Sequence, residues 1–545
     1  MNSVWLILIA TICFVIAYLT YAQRLADNWG VNNNQITPAH EKEDGIDYVP
    51  AKSPVLLGHH FASIAGAAPI IGPVTAAEFG WLPVFLWIVL GSIFIGAVHD
   101  MGSIFSSIRH GGRSIAQVID KTIGRSGKQL FSIFAWLTLI LVIAAFMNVT
   151  ADAFVSTPEA ATASILFIGL ALVFGIIRQR SDLSLPGLTV IGVALLMGCI
   201  YLGVQFPIEM AANTWMMIFV VYIFIASVTP VWILLQPRDY LNSFLLYGIL
   251  IGSFLGIVIG GPGIEIEGFT SFQTDLGYLF PILFVTVACG AISGFHSLVA
   301  SGTTSKQLDK EEDTKIVGFG AMLIEGLLAV IALIAAAVIT SGEAAELIAA
   351  GGPVYLFANG VGSFLATFGI PFDVGVIFGS LTVAAFAMTT LDTATRLARF
   401  IFQEYFVPEE EQVEGQESSI LGNMYFATLV TVVFAAALGL SGAWTDIWPI
   451  FGSANQLLAS LALLSLAVWL AERGLRNLNV IIPMVFMFAV TLSALVFVAY
   501  DNIVAGNYIL AILAVVLFVL AVVLVKMASG LLTPQEDPGV RDSGN

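Results

Sequence analysis

The chain has 545 residues, 58% of them hydrophobic and only 10% charged, and its mean hydropathy of +0.94 excludes an ordinary water-soluble fold in favour of a polytopic membrane protein. The net charge of −17 sits in connections and tails, notably Glu41–Asp47, Asp309–Asp313 and Glu409–Glu417, and argues against nucleic-acid binding. Cys13, Cys199 and Cys289 each lie in a separate apolar run without partner spacing, so they read as small hydrophobes and not as disulfide partners or metal ligands.

The first apolar run, Val4–Tyr21, has no basic residue before it and Arg24 after it, which reads as a retained first span and not a cleaved signal peptide. Runs of roughly 18 or more apolar residues predict spans near 4–22, 56–78, 81–106, 129–151, 161–177, 185–206, 213–235 and 241–261. The second half adds 280–302, 316–341, 372–395, 420–441, 446–470, 477–500 and 506–528, fifteen in all. Lys and Arg concentrate in every second connection: Arg24 and Lys52, Arg109–Lys128, Arg178 and Arg180, Arg238, Lys306–Lys315, Arg396 and Arg399, Arg473 and Arg476, and the tail with Lys526 and Arg541. The intervening connections hold none, an alternation that places the N-terminus outside and the C-terminus in the cytoplasm. The stretch 343–371, with Gly351-Gly352-Pro353, reads as an external re-entrant hairpin or as two additional short spans.

The second span departs from a lipid-facing pattern. Gly58–Pro73 carries two histidines, three glycines and two prolines, so a helix broken near mid-membrane is expected there, with its outer half starting around Ala67–Ile70. Broken backbone survives only inside protein or beside water, which makes the stretch a binding-site candidate; a close helix–helix contact through small residues is the alternative. The sixth core span, 213–235, carries a second interruption at Ser227-Val228-Thr229-Pro230 and runs in the opposite sense. Two proline-interrupted segments at equivalent positions point to an inverted-repeat transporter with a midplane site. The implied division is 1–55 as first helix and cytoplasmic linker, 56–206 and 213–400 as two five-helix repeats, 420–528 as four C-terminal helices, and 529–545 as a cytoplasmic tail.

These motifs are similar to those of a known family. Gly58-His59-His60-Phe61-x-Ser63-Ile64-Ala65-Gly66-x-x-Pro69, Asp100, Gly112-Arg113-Ser114, the run Pro230–Tyr240 with Trp232, Gln236, Arg238 and Asp239, Ser301–Gln307 and Thr389–Arg396 resemble the carbon starvation protein A (CstA) family from about residue 30 to beyond 460. The resemblance implies an all-α protein of LeuT-like fold, a 5+5 inverted-repeat core with about five extra helices, in the cytoplasmic membrane of a bacterium or archaeon. It further implies uptake of short peptides or pyruvate during starvation, by alternating access.

A substrate carboxylate would suit the positive end of a half-helix, so His59, His60, Ser63, Gly66, Ala67, Pro69, Thr229, Pro230 and Trp232 are the expected substrate contacts. His296, Ser297, Ser301, Thr303 and Glu325 are the expected ion-coupling residues: hydroxyl oxygens suit sodium, which LeuT-like proteins hold between helices 1 and 8, whereas histidines suit protons. Proton coupling ranks first. His59 and His60 point about 100° apart on any regular helix and cannot both face one ligand. His99-Asp100 lies about a turn from a basic loop and reads equally as interfacial. Asp392 and Arg396, spaced for a local i,i+4 ion pair, and Arg238-Asp239 are gate candidates.

Nothing in the sequence requires a cofactor beyond H+ or Na+ as coupling ion, and the expected partners are a small-molecule substrate and membrane lipid, with self-association left open. A membrane oxidoreductase with haem or metal on His60, His99 or His296 is the rival from another class, but no Cys-x-x-Cys-His, Walker loop or Gly-x-Ser-x-Gly accompanies it. A channel would need filter loops or charge rings, and neither is clear.

Overall fold

The computed structural model describes residues 2–44, 48–180, 184–230, 233–406, 420–442 and 444–532. The acidic stretch Glu409–Glu417, most of the expected tail and Trp232 fall outside them. In chain order the principal helices are α1 (Val4–Trp29), α2 (Ser53–Ile64), α3 (Ala68–Ala76), α4 (Trp81–Arg109), α5 (Ile115–Thr122), α6 (Arg125–Ser156), α7 (Pro158–Arg180), α8 (Leu185–Gln205), α9 (Ala212–Val228) and α10 (Leu235–Gly260). A two-stranded hairpin, β1 (Gln273–Thr274) with β2 (Gly277–Tyr278), precedes α11 (Leu279–Thr286) and α12 (Gly294–Gly302). Then follow α13 (Lys315–Ala337), α14 (Ser341–Ala366), α15 (Phe372–Phe406), α16 (Met424–Gly439), α17 (Trp444–Glu472), α18 (Leu478–Val504) and α19 (Tyr508–Ala528).

Among the described residues twelve helices are long and apolar enough to cross a bilayer, or up to 13 with the bent α2–α3 pair, and the chain is a multi-pass membrane protein. The difference from fifteen has local causes. The expected spans 213–235 and 420–441 become helices of 17 and 16 residues, and 280–302 is split into α11 and α12. The stretch left open at 343–371 is a single bent element, α14, with its kink at Gly351 and Gly352, where Gly352 adopts φ 71°.

The centre of the bundle is α6 lying along α15, with the apolar middle of α17 buried beside them. The flanks are apolar toward the outside: Ile12 and Leu19 on α1, Val190 and Ile191 on α8, and Ile509 and Ile512 on α19 are exposed, as a lipid-facing surface requires. Among the described residues three helices contain a π-turn, a local one-residue insertion: Ala17–Tyr21 within α1, Ser92–Gly96 within α4 and Lys315–Gly320 at the start of α13.

The first expected break is present. Ala65 leaves the helical region at φ −74°, ψ 66°, α3 starts at Ala68 with Pro69 in its first turn, and α2 and α3 meet at 51°. The second is displaced. Helix α9 ends at Val228 because Thr229, ahead of Pro230, is extended at φ −75°, ψ 138°, the conformation a following proline favours. The chain then turns and restarts as α10, with Pro237 in the first turn, where no N–H partner is lost. The second interrupted span is therefore α11–α12, with its break at Val287–Ser293.

Candidate functional site

The two interruptions adjoin. A Cβ on Gly72 of α3 would lie 2.6 Å from the Thr286 carbonyl oxygen and 3.0 Å from Val287 Cα, so glycine is what lets α3 cross the end of α11. The freed backbone of the second break is satisfied from neighbouring helices. Asn455 Oδ1 on α17 accepts from Phe295 N at 2.9 Å, Gln456 Nε2 donates to Phe284 O at 2.7 Å, and Ser92 Oγ on α4 donates to Gly290 O at 3.0 Å. Asn455 and Gln456 are sites that the sequence reading missed, although two adjacent amides inside an otherwise apolar 29-residue helix were the available signal.

Between α2, α12 and α15 a cavity of about 360 Å³ opens among the basic connections. His59 and Ser63 of α2 line it, with Ser301 and Gly302 of α12, Thr303, Arg113, Lys306, Asp239, Arg396 and Glu404. Of the expected substrate contacts, His59 and Ser63 face this space. Gly66 borders a separate small pocket with Phe146, Cys289 and Thr390, and Ala67 and Pro69 are buried at the break. Thr229 and Pro230 do not line the cavity. They form the end of α9, where Arg396 donates to the carbonyls of Ala226 and Thr229 at 2.8 and 2.5 Å, and Arg399 to that of Ser227 at 2.8 Å. Cations suit the carbonyl end of a helix, so this interruption is a capped terminus.

His60 diverges from His59 as helical geometry demands, and its Nδ1 lies 2.8 Å from Thr304 Oγ1. Behind it is a fully buried polar chain. Asp100 accepts from His99 Nδ1 at 2.7 Å and from His296 Nδ1 at 2.8 Å, while His296 Nε2 lies 3.4 Å from Glu325 Oε2. His99-Asp100 is thus interior, 1% and 0% exposed, and the interfacial reading is corrected. The five expected ion-coupling residues are not brought together at one place. His296 and Glu325 join the buried chain; Ser301 and Thr303 line the cavity, and Ser297 donates back along α12 to Gly294 O at 2.7 Å. Ser301 and Thr303 likewise donate to the carbonyls four residues earlier.

The gate candidates also re-pair. Asp392 does not bond Arg396; it pairs with Arg238 and accepts from Tyr222 Oη at 2.8 Å, while Arg238 also donates to Tyr222 Oη at 2.6 Å and reaches Asp239 at 3.3 Å. The i,i+4 pairing loses because Arg396 caps α9 and Arg238, carried in by the restart of α10, is the buried cation that Asp392 can reach.

Comparison with known proteins agrees on kinship. The family profile described as "Carbon starvation protein CstA" matches residues 2–351 and 343–494. "Peptide transporter CstA" of Bacillus subtilis is 31% identical over 535 residues, covering 90% of this chain and 89% of its own. "Pyruvate/proton symporter BtsT" of Escherichia coli is 30% identical over 548 residues, covering 85% and 76%. Among solved structures, the manganese transporter of Eremococcus coleocola in complex with an aromatic bis-isothiourea compound has a similar fold, with a TM-score of 0.54 at 12% identity, over 90% of this chain and 99% of that one. The chain belongs to the carbon starvation protein CstA family.

Proposed function

We propose that this protein is a secondary active transporter, not an enzyme, that imports a small carboxylate-bearing nutrient, a short peptide or pyruvate, by alternating access coupled to protons. Its setting is the cytoplasmic membrane of a bacterium or archaeon. The observation that carries the reading is the meeting of two interrupted spans whose α2 and α12 halves line one cavity together with Arg113, Lys306 and Arg396. Interrupted helices bind substrate near the midplane in inverted-repeat transporters, and guanidinium and ammonium groups suit a carboxylate. Relatives named as peptide transporters and as a pyruvate/proton symporter support the same class.

The repeats we propose are α2/α3, α4, α6, α9 and α10 against α11/α12, α13, α15, α16 and α17. Each set opens with an interrupted span and continues with a helix carrying a π-turn. Each then has a long helix, of 32 or 35 residues, a short one, of 17 or 16, and a closing one, of 26 or 29. On this division α7–α8 is an inserted hairpin, and α1, α14, α18 and α19 are additions. With the basic connections inside, the N-terminus is external, the C-terminus cytoplasmic, and the cavity faces the cytoplasm.

The Asp100–His296–Glu325 chain supports protons as coupling ion, since carboxylates and an imidazole in mutual contact can pass a charge without moving a bulky ligand. Arg238, Asp239, Asp392 and Arg396 would control the inner end of the path, the first three by tying α9, α10 and α15 together. The test is uptake of labelled pyruvate and a labelled dipeptide by proteoliposomes under a proton or a sodium gradient. Accumulation under the proton gradient alone is expected. Sodium-driven accumulation overturns proton coupling, and no uptake of either compound overturns the substrate class.

A further inference from the structure

We propose that Cys289, His296 and Glu325 form a buried binding site for a borderline divalent transition metal, zinc above all. The three residues come from the break of the second interrupted span, from α12 and from α13, and one ligand atom of each lies within 4.8 Å of the other two. All three are buried, and His296 Nε2 and both carboxylate oxygens of Glu325 lack a hydrogen-bond partner among the described residues. Buried polar atoms without partners are costly, and here they converge on one point.

The donor chemistry matches. Thiolate, imidazole and carboxylate are the ligands zinc takes, and three protein ligands leave the fourth position open. The 3.4 Å between His296 Nε2 and Glu325 Oε2 is long for a charge-assisted hydrogen bond, about 2.7–2.9 Å. It matches the edge of a zinc tetrahedron, roughly 3.3–3.8 Å from the usual bond lengths. The supporting shell is also in place. His296 turns its other nitrogen to Asp100 at 2.8 Å, the carboxylate–histidine arrangement that fixes the ring of a metal ligand. Asn455 Nδ2 points at Cys289 Sγ from 3.6 Å, a donor suited to a thiolate.

Binding breaks the Cys289 S–H bond and forms a metal–sulfur bond, with the proton passing to buffer. Zinc and protons are then alternatives at these atoms, but the site itself does not depend on the transport reading. The experiment uses tag-free full-length protein in detergent, stripped of metal and titrated with Zn2+ and then with Co2+. One Zn2+ per chain, release of at least one proton and a thiolate-to-cobalt charge-transfer band are expected. Cys13→Ala keeps all three. Cys289→Ala loses the band and at least tenfold in affinity, Cys289→His keeps zinc but loses the band, and Asp100→Asn weakens binding about 10–100-fold. Wild-type protein that is monodisperse yet binds no more zinc than Cys289→Ala overturns the site.

Discussion

The two interrupted spans are broken by different means. The first is broken by its own residues: Gly66 and Pro69 make continuous helix unfavourable between α2 and α3, and the neighbours accommodate the result. The second has no proline at its break. Residues 287–293 are kept from closing into helix because Asn455, Gln456 and Ser92 hold the donors and acceptors that a continuous helix would have used internally. One break is written locally and the other is imposed by tertiary contacts, so the second is the one that neighbouring mutations can move.

The strongest challenge to that distinction is the double change Asn455→Leu/Gln456→Leu. Each loss strands a buried backbone group at about 1–3 kcal/mol, so a combined loss of roughly 2–6 kcal/mol is expected in thermal denaturation of detergent-solubilised protein; an unchanged midpoint would mean that the second break stands unaided. Gly66→Leu acts on the first break from outside, since even a Cβ would lie 2.5 Å from Thr390 Oγ1. Overpacking costs about 1–3 kcal/mol, and the proteoliposome assay should show uptake abolished with membrane insertion intact. Pro69→Leu should likewise abolish uptake, and normal transport by either variant would remove the first break from the substrate path.

Ser92→Ala removes one support of the second break and should lower stability by about 0.5–1.5 kcal/mol, read as a small fall in the same midpoint. Pro73→Ala is expected to have the least effect, within about 1 kcal/mol, because the break lies upstream at Ala65–Ala67. A large loss there would assign the interruption to Pro73.

The contrast also explains what the sequence could disclose. The first break was readable, with α3 starting at Ala68 inside the expected Ala67–Ile70, because Gly66 and Pro69 state their preference without help. The divergence of His59 and His60 followed from helical geometry alone. The second break was misplaced at Pro230, since a proline announces an interruption but does not say whether the helix resumes in line or turns away. Asp392 and Arg396 had the spacing of a pair, yet a buried carboxylate takes the cation that reaches it in space, and Arg238 is 154 positions away along the chain. Asp100 read equally as interfacial or interior because its depth depends on α12 and α13 packing over it.

The π-turns give the acids of the buried chain an unusual provenance. Asp100 lies just past the turn Ser92–Gly96, and Glu325 just past Lys315–Gly320. Each turn takes up one residue more than a regular helix needs, its i→i+5 bonds widening the turn so that deleting a single residue there would restore regular helix with little rotation of one half against the other. Both carboxylates thus sit one position later in the chain than regular helix would carry them. A protein shortened by that residue would keep the contact to His296, and a sequence comparison that refused the gap would pair each acid with its neighbour while reporting it as lost.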